Sequence, residues 1–107
     1  MVNPFAGEVT IDLDGEPHTM KLTLGALAEL EAGLPDGGFV DLVERFEAGK
    51  YSPGDVMALI LAGLRGGGWR GRAGDLVAVE IGQGPMAASR AAAELLVRAF
   101  IVPGEEA

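Results

Sequence analysis

The sequence predicts an α+β fold, mostly helical, in which an N-terminal β-hairpin is followed by four to five short helices around one core. Three observations predict it. Residues 8–13 alternate apolar and polar side chains up to an Asp-Gly pair, which gives both the period and the turn of a hairpin. Much of the remaining chain repeats apolar residues at helical spacing, in segments separated by glycine and proline. A chain of 107 residues can bury one modest core, since folding at this size removes only about 60–70% of the unfolded surface. Residues 1–107 are therefore expected to form a single domain.

The elements follow in order. Val9, Ile11 and Leu13 share one strand face, Asp14-Gly15 turns the chain, and Met20 and Leu22 lie on the return run. Thr23 then stands where a helix N-cap belongs, ahead of Leu24, Leu27, Leu30 and Leu34 at helical spacing, with Glu29 and Glu31 flanking that stripe. Pro35-Asp36-Gly37-Gly38 breaks the chain. A second helix is read from Phe39, Leu42, Val43 and Phe46, leaving Asp41, Glu44, Arg45 and Glu47 outside, and Gly49 is placed to end it. Ser52-Pro53-Gly54-Asp55 combines a capping serine, proline at the first helical position and an acid three residues after the cap. The third helix it opens is apolar almost all round through Val56, Met57, Leu59, Ile60, Leu61 and Leu64, which places it at the centre, and Gly66-Gly67-Gly68 stops it. Residues 76–81 suit a strand through Val77, Val79 and Ile81 and also a short helix; helix is favoured. Pro85 opens a last helix with Ala88, Ala92, Leu95, Ala99 and Phe100 in one stripe, ended by Val102-Pro103-Gly104.

Composition excludes several classes of function. With 49% hydrophobic residues the chain is too apolar for a disordered tail, yet no apolar run approaches the roughly 18 residues of a membrane span. Met1 to Phe5 lack the basic start and apolar core of a secretory signal, so the expected site of synthesis is the cytosol. The absence of cysteine removes disulfides, thiolate catalysis and cysteine-bound zinc together. The net charge of −8 is uneven: residues 1–55 hold eleven acids and three bases, residues 56–107 five of each. An acidic first half repels phosphate and favours a basic protein partner over nucleic acid.

Few motifs suggest chemistry. Gly82-Gln83-Gly84-Pro85-Met86-Ala87 matches the dinucleotide pattern G-x-G-x-x-A, but the second parallel strand and its acid, expected about twenty residues on, have no room before Val102-Pro103. The same pattern recurs from Gly66 to Gly71, after a helix, in a chain with 17 glycines. Leu64 to Gly74 interleaves Arg65, Arg70 and Arg72 with glycine and Trp69; a helix cap with the tryptophan folded back on the core accounts for it better than single-stranded nucleic acid does. His18 is the only histidine and is expected to be solvated on its strand. Ser52 and Ser89 have no visible base, and Glu29 with Glu31, or Glu44 with Glu47, read as solvated helix faces rather than acid-base pairs. No enzyme activity, cofactor or metal is predicted. Partner binding is assigned instead to Glu29, Glu31, Asp41, Glu44 and Glu47 with the apolar Phe39 and Val40, against the alternative that these acids only solvate two helices.

Two stretches carry a resemblance. NPFAGEVTIDLDGEPHTMKLTLGALAELEAGL, followed by DLVERFEAGKYSPGDVMALILAGLRGGG, resembles the gene transfer agent tail protein family of phage-like particles from alphaproteobacteria. The resemblance covers residues 3–68; beyond Trp69 it reduces to a glycine-broken short helix and an Ala/Leu-rich last helix. The family carries two descriptions, tail tube protein and tail assembly chaperone. A tube subunit pairs long sheets between neighbours, which one short hairpin does not suit. The resemblance therefore implies a non-enzymatic cytoplasmic chaperone that binds the tape measure protein, and possibly the tail tube protein, during tail assembly. The alternatives are a structural component retained in the tail of the released particle and, further off, a small-ligand or nucleic-acid module.

Overall fold

The computed structural model describes residues 7–34, 38–82 and 84–99. The predicted breaks at Pro35 to Gly37 and at Val102 to Gly104, and Phe100 of the last stripe, lie outside them.

Strands β1 (Glu8–Leu13) and β2 (Glu16–Lys21) form the hairpin, with Val9 opposite Met20 and Leu13 opposite Glu16. Asp14 (φ 52°) and Gly15 (φ 85°) both take positive φ, as the two-residue turn matching strand twist requires. Val9, Ile11, Leu13 and Met20 are buried on the inner face. His18 pairs with Ile11, so it shares that face and is half-buried rather than solvated.

The strand passes into helix α1 (Leu24–Ala32) within two residues. Thr23 keeps extended backbone while its Oγ1 accepts the Ala26 N–H at 3.1 Å, which satisfies a donor that the helix start would otherwise leave open. The predicted stripe of α1 splits in two. Leu30 is buried beside Ala26, and Leu34 packs against the core, but Leu24 is 84% exposed. The reason is that α1 carries apolar residues on more than one side, and the third helix covers only one of them.

Helix α2 (Gly38–Glu47) buries Leu42, and Phe39, Val43 and Phe46 pack at the core's edge. Gly49 (φ 70°) ends it, its N–H donating to Phe46 O and the Lys50 N–H to Arg45 O at 2.8 Å. Phe46 stacks on Tyr51 with ring centroids 4.4 Å apart. Arg45, expected outside, instead turns onto helix α3 (Pro53–Gly66) and forks onto Asp55 through two bonds of 2.9 Å.

The start of α3 is the expected capping box: Ser52 Oγ accepts the Asp55 N–H and Asp55 Oδ2 accepts the Ser52 N–H. Leu59, Ile60 and Leu64 are buried, and α3 packs on β2, α1 and α5. Its last turn lies over the outer edge of β2. A Cβ on Gly66 would stand 3.0 Å from the Lys21 carbonyl carbon, one on Gly67 2.8 Å from that of Thr19, and each closer still to the oxygen. Glycine here does more than stop a helix; it lets backbone meet backbone.

Residues 76–81 divide between the two readings. Helix α4 (Ala73–Val77) takes in its first two residues, Ala78 ends it in helical backbone, and Glu80 and Ile81 then lie along the free edge of β1, where Ile81 bridges Leu13 antiparallel. Asp14 N–H donates to Glu80 O, Gly82 N–H to Asp12 O and Glu80 N–H to Asp14 Oδ1. The unpaired groups on the edge of β1 draw this segment out of the helix that periodicity favoured. Helix α5 (Pro85–Ala99) then lies against β1 and α3, burying Ala88, Ala92, Leu95 and Leu96.

Candidate functional site

Apolar residues that the core leaves wholly or partly open on α1 and α2 face each other across a groove. Leu24, Leu27 and Ala28 come from α1, and Phe39, Val40 and Val43 from α2. Glu31, Glu44 and Glu47 complete the lining, around a volume of about 660 Å³. Both helices contribute at i, i+3, i+4 and i+7: Leu24, Leu27, Ala28 and then Glu31 from α1, and Val40, Val43 and then Glu44 and Glu47 from α2. Val40 is 67% exposed, so the floor lies open to solvent.

The carboxylates stand at opposite ends of α2. Glu31 reaches Gly38, at the start of that helix, while Glu44 and Glu47 occupy its last two turns. None of the three glutamates joins an ion pair or side-chain hydrogen bond among the described residues. Among the described residues, no cation pairs with them.

Of the seven residues assigned to a partner from sequence, five line this groove: Glu31, Phe39, Val40, Glu44 and Glu47. The other two do not. Glu29 turns toward α3 and accepts a 2.7 Å bond from Arg65, and Asp41 is half-buried without lining the groove. Sequence reasoning missed Leu24, Leu27 and Val43 as lining because it placed them on the apolar stripes of their helices, and it gave Ala28 no role; Val43 also packs against the core. The surplus of apolar residues around α1 was the available signal.

The remaining motifs resolve into packing. Gly82 lies against β1, where an added Cβ would come 2.6 Å from Asp12 Cβ and 3.0 Å from Asp12 Oδ2. A carboxylate there opposes a phosphate at the N-terminus of α5, and the segment before Gly82 pairs antiparallel with β1, not parallel as a dinucleotide site requires. Trp69 packs against the core beside Gly71. The Arg45 guanidinium, donating to Asp55, holds that carboxyl below the usual carboxylate range, and Asp55 raises Arg45 in turn. Their partnership is structural, joining α2 to the start of α3. Among the described residues no group of three His, Cys, Asp or Glu side chains is placed to hold a metal ion. No described helix is long and apolar enough to cross a membrane.

A second open trough, also about 660 Å³, runs beside Tyr51, Val56, Val79, Ile81, Pro85 and Ala88, with Glu80 its one charged residue among those described. It lacks the acid-flanked floor of the first.

Comparison with known families decides the lineage. Residues 6–101 match the family described as phage tail tube protein, GTA-gp10. The chain belongs to this family. The match extends the resemblance carried by residues 3–68 through α4 and α5, so every described element of this gene transfer agent tail protein lies within it. No curated protein and no solved structure matches the chain. For a tail protein, the state of the sheet edges matters. Pro17 and the last turn of α3 occupy the outer side of β2, and residues 80–82 occupy part of the outer side of β1.

Proposed function

We propose that the chain is a non-enzymatic tail assembly chaperone, which binds the tape measure protein in the cytoplasm of the producing bacterium and leaves before the particle is complete. The observation that carries this reading is the hairpin, whose outer side is covered along β2 and, at its turn end, along β1. A subunit that builds a tube by pairing sheets needs a free strand edge, and here backbone already lies against β2 while residues 80–82 bond to β1. A small acidic domain with an open apolar groove suits transient binding of an exposed helical partner better. The family description, tail tube protein, favours a second reading: a structural component retained in the tail.

Two measurements test the proposal. Co-expression with the tape measure protein of the same particle, followed by affinity capture, is expected to recover a complex. Mass spectrometry of purified particles is expected to find the chain absent. Stoichiometric presence in the particle would establish the structural reading instead.

A further inference from the structure

We infer that the groove between α1 and α2 is a docking site for one amphipathic helix whose apolar stripe is flanked by lysine or arginine about two turns apart. The inference rests on the chaperone reading for the partner's identity but on the groove alone for its chemistry. Leu24 and Val40, 84% and 67% exposed, supply apolar contact from α1 and α2. Glu31 stands by the first residue of α2, and Glu44 and Glu47 lie six and nine residues further along it. At a rise of about 1.5 Å per residue, that separates the carboxylates by about 9–14 Å along the helix. Cations six to nine residues apart on a partner helix match that separation.

Charge selects among possible occupants. A second copy of this chain would bring its own acids, on a protein of net charge −8, against the same rim. The C-terminal sequence Glu105-Glu106 is repelled likewise. The N-terminal residues 1–6 carry no charged side chain, so beyond the terminal amine they would leave most of the rim unanswered. A basic-flanked helix fills the floor and neutralises the rim together.

The test uses the full chain and an 18-residue synthetic helix with a leucine stripe and two lysine pairs seven residues apart. Its counterpart carries glutamate in place of lysine. Fluorescence anisotropy is expected to show at least tenfold tighter binding of the lysine peptide, weakening as salt rises. Leu24→Asp and Val40→Asp should each weaken it at least tenfold although both add negative charge. Circular dichroism should be unchanged, because both side chains lie outside the core. The double variant Glu44→Lys with Glu47→Lys should reverse the preference between peptides. Equal binding by Val40→Asp and wild type would mean diffuse charge attraction and overturn the site. So would a dimer in sedimentation equilibrium that Val40→Asp dissolves, or peptide binding that arises only after residues 1–6 are removed. Capture of the tape measure protein without peptide binding overturns the groove and leaves the chaperone reading standing. Peptide binding without that capture does the reverse.

Discussion

Gly66 offers a perturbation whose sign the structure reverses. In the last turn of a helix, Gly→Ala ordinarily stabilises by about 0.5–1 kcal/mol, because alanine has fewer unfolded conformations to lose. Gly66 has ordinary helical backbone, so that gain would apply if space allowed. It does not: the new Cβ would stand 3.0 Å from the Lys21 carbonyl carbon and nearer still to its oxygen. Carbon atoms prefer about 3.5–4.0 Å, so α3 must retreat from β2 by at least about 0.5–1 Å. The obstacle is backbone on both sides, with no side chain to rotate away. Overpacking of this kind costs about 1–3 kcal/mol, and after the alanine gain the expected net loss is about 0.5–2 kcal/mol. Gly25→Ala in α1 is the control, since its added Cβ meets nothing within 4 Å and should stabilise by about 0.5–1 kcal/mol. Urea denaturation of the two variants beside wild type measures both. If Gly66→Ala is as stable as wild type while Gly25→Ala gains, the close approach of α3 to β2 is not what holds glycine there.

Other outcomes follow from single contacts. Leu30→Ala should cost about 2–5 kcal/mol and Leu24→Ala within about 0.5 kcal/mol, because the first is buried and the second open, and denaturant midpoints separate them. Ser52→Ala removes the side-chain acceptor for the Asp55 N–H and should cost about 1 kcal/mol in the same assay. Asp55 titrates below its ordinary range when folded, so its pairing with Arg45 contributes fully above about pH 4 and is lost as pH falls through the lower folded value. In Asp55→Asn the acid limb of a stability-pH curve should be flatter than wild type; an unchanged limb would place that titration elsewhere. NAD is expected to give no binding by calorimetry at micromolar concentrations, and binding that Gly84→Val abolishes would restore the discounted glycine motif.

What the sequence determined by itself is mostly local. Alternation at Val9, Ile11 and Leu13 with Asp14-Gly15 fixes a hairpin, because strand period and positive-φ turn chemistry act over a few residues. Thr23, and Ser52 with Asp55, place two helix starts for the same reason, since a cap bonds to an amide three residues away. The acids later found along the groove were legible too, as an excess of Glu31, Glu44 and Glu47 on two helices.

Tertiary structure decided whatever depends on which surfaces meet. Leu24 and Leu30 belong to one stripe in sequence, yet the core covers only Leu30, and that difference makes the groove. Glu80 and Ile81 pair with β1 because it had an edge to fill, a demand that arises sixty-odd residues earlier in the chain and leaves no trace in local periodicity. Arg45 and Asp55 each sit in a locally sensible place, and only the fold brings the guanidinium to the carboxylate. Gly66 and Gly67 read as a helix stop; that they also let α3 lie on β2 follows from distances to Lys21 and Thr19, which no spacing along the chain contains.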